Sequence, residues 1–98
     1  MTDADEALVS ELRSVGIDGS ARLDDWRDTI GLLAAFDEVG RSGANVIVKV
    51  DGGRAGADLY TVVLSGGRLG EDFFRKDGSD LRSLLSEGLS FFVSHART

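Results

Sequence analysis

The chain is most constrained by two near-copies of one short motif. "DGGRAGAD" runs from Asp51 to Asp58 and "SGGRLGED" from Ser65 to Asp72, each reading Gly-Gly-Arg-x-Gly-x-Asp, fourteen residues apart. Calcium-binding nonapeptides abut every nine residues, in runs, with one residue fewer between their glycines. A phosphate loop needs a Gly-Lys-Ser/Thr that is missing, and a dinucleotide loop is followed by a helix. Here an alternating apolar stretch lies on either side of each copy. Glycine pairs in that setting are turns of a sheet, because glycine enters positive φ at little cost. Successive turns of a meander lie at opposite sheet ends, about 26 Å apart for an eight-residue strand. Arg54 and Arg68 therefore do not share a ligand.

The flanking segments follow from this punctuation. "ANVIVKVD" (Ala44 to Asp51) alternates as a half-buried strand. "DLYTVVLS" (Asp58 to Ser65) is apolar on both faces in part, as a central strand would be. "RLGEDFFRKD" (Arg68 to Asp77) is more polar and fits an edge. Ahead of the strands, Asp3 to Val15 has helical spacing of Ala4, Leu8, Leu12 and Val15, acids in its first turn, and Gly16 as a left-handed cap. A second helix is expected from about Ala21 or Asp24 to Val39, with one stripe of Leu23, Trp26, Ile30, Leu33 and Ala34. Leu32, Phe36 and Val39 form another on nearly the opposite side. A last helix, capped by Asp77 or Ser79, runs to His95. Its stripe of Leu81, Leu84, Leu85, Gly88 and Phe92 contains a glycine, which points to close packing on the sheet. The order α-α-β-β-β-α implies a two-layer α+β domain: an antiparallel three-stranded meander with helices on one face. Ninety-eight residues set the expectation of a single globular domain spanning 1–98.

Charge narrows the partners. Residues 1–40 hold ten acids and three arginines; residues 41–98 hold seven acids and eight bases. An acidic half is unsuited to nucleic acid or an anionic membrane and suits steering toward a basic protein. Cysteine is absent and no long apolar run is present, so neither a disulfide framework nor a membrane span is expected. The acidic, amphipathic N-terminus is unlike a signal or transit peptide, which makes the cytoplasm the expected compartment.

No residue pattern carries chemistry. No serine has a Gly-x-Ser-x-Gly context, and nothing in the sequence places a partner beside His95, the lone histidine. The expectation is no enzyme, no cofactor and no metal. The candidates for binding are Asp24, Asp25 and Asp28 at the start of the second helix, with Leu32 and Phe36, on the side that carries Asp25 and Asp28, as apolar anchors if the first helix leaves them open. Trp26 reads as core. Glu71 and Arg75, in the charged third strand, offer a mixed-charge sheet face that could grip a partner.

The stretch "YTVVLSGGRLGEDFFRKDGSDLRSLLSEGL", in a small, acidic, cysteine-free chain of α-α-β-β-β-α order, resembles immunity proteins of bacterial contact-dependent growth inhibition systems. The resemblance implies a dedicated inhibitor of a cognate protein toxin, often a basic nuclease, acting by occlusion of the toxin's active or substrate surface. It assigns no individual residue. The alternative is a small acidic secretion-type chaperone or an oligomerising accessory subunit. For the inhibitor, a monomer or weak homodimer is expected.

Overall fold

The computed structural model describes residues 1–54 and 57–96. Ala55 and Gly56, in the first glycine motif, lie outside the described residues, as do Arg97 and Thr98. The elements are α1 (Asp3–Ser14), a 3-10 turn (Gly19–Arg22), α2 (Leu23–Arg27), α3 (Ile30–Arg41), β1 (Asn45–Val50), β2 (Tyr60–Ser65), a second 3-10 turn (Gly67–Leu69), β3 (Phe73–Gly78) and α4 (Leu81–Ala96). The fold is α+β and the strands form an antiparallel meander in the order β1-β2-β3. The expected helix order holds, with the second helix divided in two.

Registers of Val46↔Leu64↔Phe74 and Val48↔Val62↔Lys76 put one set of side chains on the face covered by α3 and α4. The core is Val62, Leu64, Phe36, Val39, Ala44, Leu69, Leu81, Leu84 and Leu85, all buried. Two glycines let α4 come close. A Cβ at Gly88 would stand 3.0 Å from the Phe36 ring, and one at Gly78 would stand 3.1 Å from Leu84. Lys76 is on the covered face, yet its stem carries the ammonium out to Glu87, 2.8 Å away.

The division of the second helix corrects the assignment of its faces. Asp28 and Thr29 are weak helix formers, and the Thr29 hydroxyl donates to the Asp25 carbonyl at 2.9 Å, which favours a bend over a continuous ladder. Beyond the bend, α3 turns the Leu32–Phe36–Val39 stripe toward the sheet. Phe36 is 2% exposed and Leu32 is half-buried against the core, so the pair is not an exposed anchor. The other stripe is divided: Leu23 and Ile30 are 55% and 62% exposed, while Trp26 and Leu33 are half-buried against the core.

Both glycine motifs are turns, between β1 and β2 and between β2 and β3, but they are built differently. In the second, Gly66, Gly67 and Gly70 all have positive φ and Leu69 is buried. In the first, Gly52 and Gly53 do not have positive φ, and the Asp51 carboxylate accepts from Gly53 N–H at 3.0 Å. Arg54 then folds back over the open face of the sheet. Its guanidinium donates to the Thr61 hydroxyl at 3.0 Å and lies 3.2 Å from Asp77 and 3.3 Å from Asp51. This cover buries Thr61 on an otherwise open face.

The Thr61 hydroxyl and then the Arg54 guanidinium hold the Asp77 carboxyl below its usual range. A carboxyl lowered by folding contributes stability that is complete above the ordinary aspartate value of about 3.9. That stability is lost as pH falls through the lower native value. Urea midpoints of the wild type should therefore fall on acidification below about pH 4 more steeply than those of Asp77→Asn. Parallel profiles would show that the network does not respond to protonation of Asp77.

Candidate functional site: an acidic cleft beside the start of α4

Three of the acids singled out from sequence come together with a fourth. α2 and the Ser79–Arg82 segment border a cleft of about 530 Å³ lined by four acids, Asp24, Asp25, Asp28 and Asp80, and by two arginines, Arg22 and Arg82. Trp26 and Tyr60 are half-buried in its wall, and both pack against the core. Local structure explains each placement. The 3-10 turn is capped by Asp18, which accepts from Ser20 N–H, and it leads directly into α2. Asp24 and Asp25 occupy the first turn of α2, where the helix dipole favours acids. Asp80 immediately precedes α4 and accepts from the Ser83 hydroxyl at 2.7 Å.

The cleft keeps a negative excess. Asp25 pairs with Arg22 at 3.3 Å and Asp24 with Arg27 at 3.3 Å, all four side chains being largely exposed. Such pairs stabilise the fold by at most about 1 kcal/mol and are loosely held. Asp28 makes no ion pair among the described residues. The Ser83 hydroxyl, followed by backbone N–H groups of Ser83 and Arg82, lowers the Asp80 carboxyl below its usual range. Among the described residues no group of three His, Cys, Asp or Glu side chains is placed to hold a metal ion. The chemistry on offer is recognition of a positively charged group against an aromatic wall.

The remaining candidates lie elsewhere. Arg75 projects from the opposite sheet face, in register with Val63. Glu71 sits in the turn before β3, at the sheet end away from the cleft. Neither can act together with Asp24, Asp25 and Asp28. Trp26 packs against the core, as expected, and also lines the cleft. Tyr60, Arg22 and Arg82 had no sequence signal, because they reach the cleft from separate elements. His95 acquires a neighbour: its Nε2 is 3.5 Å from an Asp72 carboxylate oxygen, and its ring packs on Phe91 at 4.0 Å.

The fold and the cleft define a class, a two-layer α+β domain with an acidic, aromatic-walled recess. No family model, curated protein or solved structure matches the chain. Among the described residues no helix is long and apolar enough to cross a membrane.

Proposed function

We propose that the protein is a non-enzymatic immunity protein that binds a basic cognate toxin and covers its active or substrate-binding surface. One observation carries this reading: Asp24, Asp25, Asp28 and Asp80 converge on a recess walled by Trp26 and Tyr60. Carboxylates on one face steer a basic partner and raise the association rate. Half-buried aromatic side chains at the centre of a contact set how slowly it dissociates. The acidic bias of residues 1–40 extends the same field. A partner lysine or arginine entering the recess would meet Asp28, which no cation of this chain neutralises by direct pairing among the described residues.

The reading requires a toxin domain encoded beside this protein's gene, and the test is binding of that purified domain. Asp25→Arg combined with Asp28→Arg should weaken that binding about tenfold or more at low salt, and less as salt screens the field. Both positions are exposed, so the urea midpoint should hardly move. Unchanged affinity at low salt would remove the cleft as the contact site. The exposed apolar stripe of α1 favours one other reading, the oligomerising accessory subunit or secretion-type chaperone. It requires a homodimer without affinity for that toxin.

A further inference from the structure

α1 is an amphipathic helix whose apolar stripe stands open, Val9 alone in the helix being half-buried. None of its residues is buried, and Leu8, Leu12, Val15 and Ile17 are 59%, 47%, 70% and 58% exposed. The helix is nonetheless well built. Thr2 and Asp5 form a capping box, and at the other end Gly16 has φ +85° while Ile17 N–H donates to the Leu12 carbonyl at 3.0 Å. Arg13 reaches Asp18 at 3.3 Å across the joint. These bonds set the helix as an arm. The radius of gyration is 15.7 Å and the longest dimension 50 Å, where a compact chain of this length has a radius of about 12.6 Å.

The sheet offers a largely open face to match. On the side away from α3 and α4, the middle row reads Ile47, Val63, Arg75; the row of Asn45, Ser65 and Phe73 is open, while Arg54 covers Thr61 and Asp77 in the row they share with Lys49. Ile47 and Phe73 are 54% and 64% exposed. Size, polarity and charge all agree with α1. Twelve helical residues span about 18 Å, and six strand residues about 20 Å. Three strands are about 10 Å across, the width of one helix. At 100° per residue, Asp5 and Glu11 border the Leu8–Leu12–Val15 stripe on its two sides. Lys49 and Arg75 stand on the two edge strands of the open face, on either side of its central strand.

We infer that two copies of the chain exchange arms: α1 of each lies across the open sheet face of the other, completing a three-layer α/β/α core in both. A second copy is the occupant because α1 stands clear of its own sheet, with none of its residues buried, in an extended molecule whose sheet face is largely open to another chain. Two reciprocal docks bury on the order of 1,500 Å², within the range of specific dimers, and the exchange closes under two-fold symmetry. No residue of the arm or the open face lines the acidic cleft, so the dimer leaves that recess accessible.

Sedimentation equilibrium of the full chain should show a dimer. Leu12→Asp, which spoils the arm, and Ile47→Asp, which spoils the receiving face, should each raise the dimer dissociation constant about 100-fold or more. Both side chains are exposed in the single copy, so folding persists and circular dichroism reads it independently. A wild type that stays monomeric overturns the proposal. So does dissociation by Leu12→Asp alone, which means arm-to-arm pairing, or by Ile47→Asp alone, which means sheet-to-sheet pairing. The native chain has no cysteine, so Leu12→Cys with Val63→Cys reports the contact directly. Oxidation should give a covalent dimer; a cross-linked monomer would place the arm on its own sheet and overturn the exchange. The toxin-binding test, at Asp25 and Asp28, is read separately and can fail without affecting this result.

Discussion

Phe36→Ala should lower the stability of the domain by about 3–5 kcal/mol, read as a large fall in the urea midpoint. The ring is 2% exposed and is wedged against α4 where Gly88 leaves room, so a Cβ there would lie 3.0 Å from its Cζ. Leu64 and Phe74 close the same space, at 3.5 and 3.4 Å from that Cβ position. Removing the ring leaves a void between α3, α4 and β2 that no side chain can fill without shifting two helices. A domain of this size is stable by about 5–15 kcal/mol, so the variant should be partly unfolded well below the wild-type melting temperature. Phe36→Leu keeps most of the volume and should cost much less. The same variants separate core from contact. If Phe36→Leu weakened partner binding strongly at nearly unchanged stability, Phe36 would be an anchor despite its burial.

The mistaken face of the second helix shows where sequence reasoning reaches its limit. Helical spacing identifies two apolar stripes between Leu23 and Val39 but does not say which faces inward, since that depends on the bend at Asp28–Thr29. The bend rests on a hydroxyl-to-carbonyl bond and on the burial of Thr29, neither visible in periodicity. The meander was legible because alternation and glycine turns are local signals, and the packing of α4 because Gly88 interrupts a continuous stripe. The acidic character of α2 was equally plain. Its meeting with Asp80 was not, because the two sides of the cleft are more than fifty residues apart in sequence. Arg54 was concealed in the same way: its partners Thr61 and Asp77 lie on two different strands, and only the register places them side by side. For α1, amphipathic spacing looks the same whether the stripe meets its own core or another chain.

The two glycine motifs look interchangeable in sequence, and their substitution should separate them. Gly67→Ala is expected to cost more than about 2 kcal/mol, whereas Gly52→Ala should fall within about 0.5 kcal/mol of the wild type. Gly67 has φ +56°, a left-handed backbone that costs a residue with a Cβ about 1–2 kcal/mol. Its Cβ would also stand 2.9 Å from the Ala44 nitrogen and 3.0 Å from the Gly43 carbonyl carbon. Both are backbone atoms of the connection between α3 and β1, so no side-chain rotation relieves the clash. Relief would require moving the start of β1, where buried Ala44 belongs to the core. Gly52 has ordinary φ, and a Cβ there meets nothing within 4 Å. Paired urea titrations of the two variants decide the matter. Equal losses would mean that the turns are alike after all; a loss confined to Gly67→Ala means that only the second motif binds two elements of the fold together.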